Sequence, residues 1–389
     1  MARMRFGIFL PPHHVPTNYN PTYALQQDVD LIKHLDGIGY DEAWFGEHHS
    51  GGVELINDPM LFIAHMAAQT KHIRLGTGVV SMPYHNPLWV ADRLSLLDHL
   101  TRGRVMLGVG PGALATDAAM IGIHPSEQRD ALDEDMDVLM HLLTNDEPIS
   151  VETARYKLVD ARMQLDFFQD PHPPVVAAAV VSPSGPRLAG KHGIGLISVG
   201  ATMKAGVDVL AMHWDVVEER AKEFGKTTDR DSWRVVGLMH IAETRDQALK
   251  DVRHGIREWC DYLQHTAAAP QIQVSGSNVD EYIEWALSTG SAVIGTPNDA
   301  IEHIQSVIDL SNGGFGSYLL FDHNWAQYSV KRRHYELFGE YVVPYFKKTN
   351  RRMQQSEKLL RTVREPLAAA QQEAITAFRE KHEQEKSAG

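Results

Sequence analysis

Short runs of consecutive apolar residues alternate along most of the chain with longer stretches whose apolar side chains recur every third or fourth position. RFGIFL (5–10), EAWFGE (42–47), IRLGTGVV (73–80) and RVMLGVG (104–110) are of the first kind, as are PVVAAAVV, GLISVG, WRVVGLMHIA and SYLLFD further on. The second kind spans Tyr23–Ile38, the neighbourhood of Pro59–Gln69, Leu88–His99 and roughly Ser126–Leu143, and such segments also separate the later runs. Near-continuous apolar strands, each followed by an amphipathic helix, predict a parallel sheet covered on its outer face. A doubly wound open sheet uses the same parts, but eight units over this length fit a closed (β/α)8 TIM barrel better.

Two segments break the alternation. YKLVDARMQLDFFQDPHPP (156–174) reads as an extra hairpin and a proline-rich turn before the fifth strand. After Pro344 the composition changes to a highly charged stretch with Leu359, Leu360, Val363, Leu367 and Ile375 at helical intervals. The reading is therefore a barrel over 1–345 and a charged helical C-terminal extension over 346–389, broken or kinked at Pro366 and disordered near its end.

Composition narrows the function classes. The chain has 389 residues, 43% of them hydrophobic, and a formal net charge of −13, which argues against a nucleic-acid binder. No uninterrupted apolar stretch approaches a membrane span, and the N-terminal run is too short for a secretory signal. Its one cysteine, Cys260, allows no intramolecular disulfide and reads as a packed thiol, so a cytoplasmic protein is expected.

The candidate chemistry begins at WFGEHHSGG (44–52), where the second strand ends in Glu47, His48 and His49. Strand C-termini form the catalytic face of a barrel. Successive residues of extended backbone project to opposite sides, so the three cannot share one direction. One histidine is expected to face the pocket while Glu47 and the other brace the loop. A metal site is the first alternative, since PPHHVP after strand one adds two more imidazoles. The pairs are adjacent rather than one residue apart and acidic partners are scarce, so no metal is expected. Hydrogen-bonded histidines without chemistry are the bland alternative.

FGIFLPP, then GYDEAWFGEHH, then HIRLGTGVVSMPYHNPLWVADRLSLLDHLTRGRVMLGVGPG resemble, in that order and spacing, the bacterial luciferase-like flavin monooxygenases. The likeness is continuous over roughly the first 145 residues and looser through VVSPSGPRLAGKHGIGLISVG and VIGTPNDAIEHI. GTGVVSMPYHNP and VSPSGPRLAG are most similar to the limonene monooxygenase branch. The resemblance implies a two-component system. A separate NADH-dependent reductase supplies reduced FMN or FAD, O2 reacts with it, and a C4a-(hydro)peroxyflavin passes one oxygen atom to a small hydrophobic substrate such as a terpene or cyclic ketone. It also makes His48 the pocket-facing catalytic histidine, with Glu47 and His49 beside it, and an imidazole titrating near neutrality suits that proton traffic.

For the flavin, Gly76 and Gly78 in GTG and Gly108, Gly110 and Gly112 in GVGPG allow close approach to backbone, although glycines also ease strand curvature and turns. Asn86 and His85 are expected polar contacts. Ser182, Ser184 and the Gly185 amide, with Arg187 nearby, are the candidate phosphate nest at a helix start, a placement that follows the resemblance. Pro111 stands where several family members carry arginine, which leaves FAD as open as FMN. The resemblance also places a non-proline cis peptide near Gly78–Val79. Phe9, Trp44, Met82, Tyr84, Trp89, Met106, Leu114, Phe321 and Trp325 are read as an apolar mouth, each with core packing as its alternative.

Two rival functions share this barrel: a deazaflavin- or flavin-dependent hydride-transfer oxidoreductase, and a non-catalytic flavin-binding subunit. A homodimer or homotetramer is expected, through an apolar face on 64–68 and 94–100 and contacts from the extension.

Overall fold

The computed structural model describes residues 3–11, 13–14, 20–200, 208–267 and 273–388. The eight apolar runs form the eight strands of one closed parallel barrel: β1 Arg5–Leu10, β2 Glu42–Phe45, β3 Arg74–Thr77, β5 Val105–Gly110, β8 Val175–Ala179, β9 Gly195–Val199, β10 Trp233–Ile241 and β12 Ser317–Phe321. They pair in that order around the ring, and β12 closes against both β10 and β1. Two short strands escaped the sequence reading. β4, Val80–Ser81, extends the rim beside β5, and β11, Val293–Gly295, pairs with the last residues of β10.

The interior is filled by one side chain from each of seven strands: Phe9, Trp44, Met106, Val176, Ile197, Val236 and Leu319. β3 contributes Gly76 at this level, because a Cβ there would run into the Trp44 ring. Trp44, Met106 and Phe9 are thus barrel core rather than mouth, and Trp325 belongs to a second core among the later helices. Trp89 lies 56% exposed on a helix surface. Toward the N-terminal ends of the strands a buried ion cluster continues the plug. Glu42 accepts from Arg234 Nε at 2.9 Å, Arg5 Nε at 2.9 Å and Trp44 Nε1 at 3.0 Å. Burial opposes its charge, but the two guanidiniums prevail and hold its pKa down to about 2.

Helices that position the rim have legible ends. α1, Pro21–Ile38, starts on Asn20, whose side chain accepts from the Thr22 and Tyr23 amides, and stops on left-handed Gly39. α2, Pro59–Ala67, starts on Asp58, and α3, Pro87–Thr101, starts on Asn86. α4, Ala115–Met120, is a short helix the periodicity did not reveal; α5 follows at Gln128–Thr144. The expected hairpin has arms β6, Ile149–Glu152, and β7, Lys157–Ala161, so its first arm lies upstream of 156 and residues 162–174 are irregular. Arg155 in its turn fastens it to α5 with two 2.7 Å bonds to buried Asp135.

The chain divides into two compact units, 1–343 and 344–389. In the second, one helix runs from Arg351 to Ser387 with Pro366 inside it, unbroken there and helical to Ser387 rather than disordered toward its end. A proline deletes one backbone hydrogen bond, and a helix of this length keeps the rest.

Candidate active site

The β2 terminus delivers Glu47, His48 and His49 to the C-terminal rim and gives each a different neighbourhood. Glu47 is 3% exposed and collects three donors. His49 Nε2 lies 3.0 Å and His85 Nε2 2.6 Å from its Oε1, and the Ser81 amide donates to Oε2 at 2.7 Å. Burial alone would raise this carboxyl, but those bonds outweigh it and hold the pKa down to about 2. Glu47 therefore ties the loop after β2 to β4 and to the turn before α3. The bond to Glu47 carries His49 above the usual histidine value.

His48 faces a different set. Its Nδ1 lies 3.0 Å from Asp117 Oδ2 on α4, and its Nε2 stands 3.3 Å from Glu54 Oε2. Asp117 also accepts the His49 amide at 3.1 Å and the Ser50 hydroxyl, so one carboxylate fixes three consecutive residues of the loop. Burial pulls the imidazole down, yet Glu54 and Asp117 together carry its pKa above 6.5. Of those two, Asp117 is the one held ionised: against its burial, the bonds from His48 and Ser50 depress it. Glu54 is pushed upward by burial.

Beyond Glu54 the chain of contacts continues. Tyr262, on the helix Ile256–His265, donates its hydroxyl to Glu54 Oε1 at 3.3 Å. His13, after β1, is pinned to Glu54 by a backbone bridge and stands edge-on to the Tyr262 ring at 5.2 Å. Burial lowers the His13 pKa to about 4, leaving a neutral imidazole. A cavity of about 860 Å³ opens here, lined among others by His13, Val53, Asp261, Tyr262, His265 and Tyr282. Asp117, Glu54 and Tyr262 were absent from the sequence reading. Only the clustering of a carboxylate six residues after His48 hinted at one of them.

The remaining candidates sit around this rim in distinct roles. Gly78 lies against Phe9 and Trp44, and its peptide bond to Val79 is the expected non-proline cis bond. Gly110 faces Val79, while Gly112 has φ +95° and would drive a Cβ into the Tyr84 hydroxyl. Tyr84 in turn accepts from Gln128 at 3.0 Å. The Asn86 side chain is engaged as the α3 cap, accepting from the Leu88 amide at 3.0 Å. Ser182 and Ser184 lie 3.2 Å apart through their hydroxyls at the start of α6, Ser184–His192, and Ser182 Oγ also accepts the Ser184 amide. Pro183, the residue preceding α6, supplies no capping side chain, so the two hydroxyls lie beside an uncapped helix N-terminus. Gly185 packs directly on the Ala178 carbonyl of β8. Among the described residues no group of three or more His, Cys, Asp or Glu side chains is arranged to hold a metal ion.

A barrel whose C-terminal rim sets an imidazole between two carboxylates has the build of an enzyme. The family model of luciferase-like monooxygenases matches residues 4–311, and the chain belongs to that family. It is 44% identical to limonene 1,2-monooxygenase of Rhodococcus erythropolis over 349 residues, 89% of this chain and 87% of that one. It is 39% identical over 348 residues to 4-hydroxyprotoasukamycin monooxygenase of Streptomyces nodosus subsp. asukaensis, covering 89% and 93%. Its fold superimposes with a TM-score of 0.72 on the oxygenating constituent of 3,6-diketocamphane monooxygenase from Pseudomonas putida, solved in complex with FMN. That likeness is at 23% identity and covers 88% of this chain and 98% of that one.

Proposed function

We propose that this chain is the oxygenase of a two-component system, taking reduced flavin from a separate NADH-dependent reductase and inserting one atom of O2 into a small, largely apolar organic substrate. The observation that carries this reading is His48, set between Asp117 and Glu54 on the catalytic rim of a luciferase-like barrel. Bound reduced flavin supplies the electrons for oxygen activation. The protein's part is proton handling and enclosure. His48 holds a proton at Nδ1 toward Asp117 and presents Nε2 to the Glu54 side, so it can give a proton to a leaving oxygen and recover one. Glu47 and His49 keep the loop in register. Gly78, Gly110 and Gly112 would leave room for the flavin ring beside the backbone, Asn86 orders the turn before α3, and Ser182, Ser184 and the Gly185 amide would hold the phosphate of FMN or the pyrophosphate of FAD. The substrate occupies the cavity beside Tyr262, whose volume suits a monoterpene or cyclic ketone.

The wider expectations stand as part of the same proposal. Residues 1–345 act as the catalytic barrel and 346–389 as an appendage, in a cytoplasmic protein. No helix of the described residues is long and apolar enough to cross a membrane. Homodimerisation through the α2–α3 face is supported by exposed Leu61, Leu96 and Leu100.

Anaerobic titration with photoreduced FMN, and separately FAD, followed by rapid mixing with oxygenated buffer tests the reading. An oxygenated flavin species that persists before reoxidation, and whose yield of oxygenated terpene or ketone depends on substrate, is the expected result. Reoxidation without such a species, or binding of deazaflavin in preference to both flavins, would favour hydride transfer. Flavin binding without turnover of any oxygenated product would favour the non-catalytic subunit, and turnover unchanged in His48→Ala would remove His48 from the chemistry.

A further inference from the structure

The helix Arg351–Ser387 buries none of its residues, although Met353, Leu360, Leu367 and Ala374 recur along it every seventh position. Val363, Ala370 and Ala377 fall three residues after the last three of them, completing the a/d seam of a two-stranded coiled coil. Leu359 and Phe378 flank that seam and widen the stripe, and Phe378 is 75% exposed. The helix is about 55 Å long at 1.5 Å per residue. Its internal proline costs roughly 3 kcal/mol relative to a good helix former, a cost that burial of this stripe against a partner would offset. Charge along the helix is polarised. Residues 351–364 hold five cations, Arg351, Arg352, Lys358, Arg361 and Arg364, against the single carboxylate Glu357. Residues 365–387 hold five carboxylates, Glu365, Glu373, Glu380, Glu383 and Glu385, against three cations.

We propose that residues 351–387 pair antiparallel with the same helix of a second copy of this chain. A parallel pair would set the basic halves side by side and the acidic halves likewise. The antiparallel pair sets each basic half against the partner's acidic half and closes on a two-fold axis, the commonest symmetry of homo-oligomers. Near that axis lie Leu367 and Ala370 of the seam, and the small side chain of Ala370 lets two helices approach closely. This surface is separate from the α2–α3 face, and the proposal stands whether or not the flavin reading does.

The test uses full-length chains carrying one added cysteine and a short bis-maleimide. The native Cys260 is buried, with its thiol pushed up to about 12, and stays silent. Ala370→Cys, a seam position beside the axis, is expected to cross-link to itself in high yield. Met353→Cys alone and Gln384→Cys alone are expected to give less than a tenth of that yield, and a mixture of the two to restore it. In the Ala370→Cys background, Lys358→Glu/Arg361→Glu/Arg364→Glu should cut cross-linking at least fivefold. Glu373→Lys/Glu380→Lys/Glu383→Lys should do the same, and mixing the two charge-reversed chains should recover it. Strong self-cross-linking at 353 or 384 would show a parallel pair and overturn the proposal. So would no cross-linking at 370 while a monofunctional maleimide labels that thiol fully, which would leave the helix to another partner.

Discussion

Asp117 decides what His48 can do. It is the anion that stays ionised beside the imidazole, at 3.0 Å from Nδ1, and it also holds the backbone of the loop through the His49 amide. Asp117→Asn removes that charge, so the His48 pKa falls and the limb of the pH–rate profile that follows His48 moves to lower pH. His48→Ala is expected to cut the oxygenation rate about 10²–10⁴-fold, the usual worth of a general acid–base group, with reduced-flavin affinity nearly unchanged in an anaerobic titration. Glu47 makes a stability prediction instead. Its folded pKa, about 2, lies below the ordinary 4.5, so its contribution is fully present above pH 4.5 and disappears as pH falls toward 2. By linkage that contribution is about 3 kcal/mol. Denaturant melts of wild type and Glu47→Gln should therefore differ by roughly that amount at pH 7 and converge in acid; a difference constant with pH would refute the assignment.

At the scale of elements, the rim is built from loops that hold one another. The loop after β1 bridges to the one after β2, the β2 loop bonds to β4 and to α4, and the turn after β5 packs on Tyr84. Gly112 is the tightest of these joints. A side chain there meets both a left-handed backbone and the Tyr84 hydroxyl. Gly112→Ala is expected to destabilise the protein by about 1–3 kcal/mol and to raise the flavin dissociation constant, whereas Gly122→Ala, also at positive φ but with open space at its Cβ, loses only the backbone part. Equal effects on flavin binding from the two variants would show that the β5 turn is not part of the site.

For the whole molecule, the closed end of the barrel is an electrostatic plug beneath an apolar interior. Glu42 is the shared acceptor for Arg234, Arg5 and Trp44, and both Glu42 and Arg234 are buried. Glu42→Ala leaves a buried guanidinium without its anion, a loss of about 3–5 kcal/mol that thermal unfolding would register, while Glu42→Met with Arg234→Met should recover much of it. A single variant as stable as wild type would mean that water, not Glu42, satisfies Arg234.

Chain order alone determined a good deal. Eight apolar runs at βα spacing dictate a parallel barrel because strands buried on both faces must be apolar throughout and each crossover needs a helix. Glu47, His48 and His49 at the end of the second run reach the rim by the same logic, and strand alternation already required that they point apart. Short elements were not legible: β4, β11, α4 and the first arm of the hairpin are too brief for a period to show, and Pro366 does not end its helix, because a long helix absorbs one lost hydrogen bond. Only the tertiary structure decided which carboxylates flank His48 and which imidazoles converge on Glu47. Asp117 lies 69 residues from His48, His85 lies 38 from Glu47, and Tyr262 lies 208 from Glu54. Such pairs share no local pattern, because barrel closure and loop packing, rather than neighbouring residues, bring them within reach.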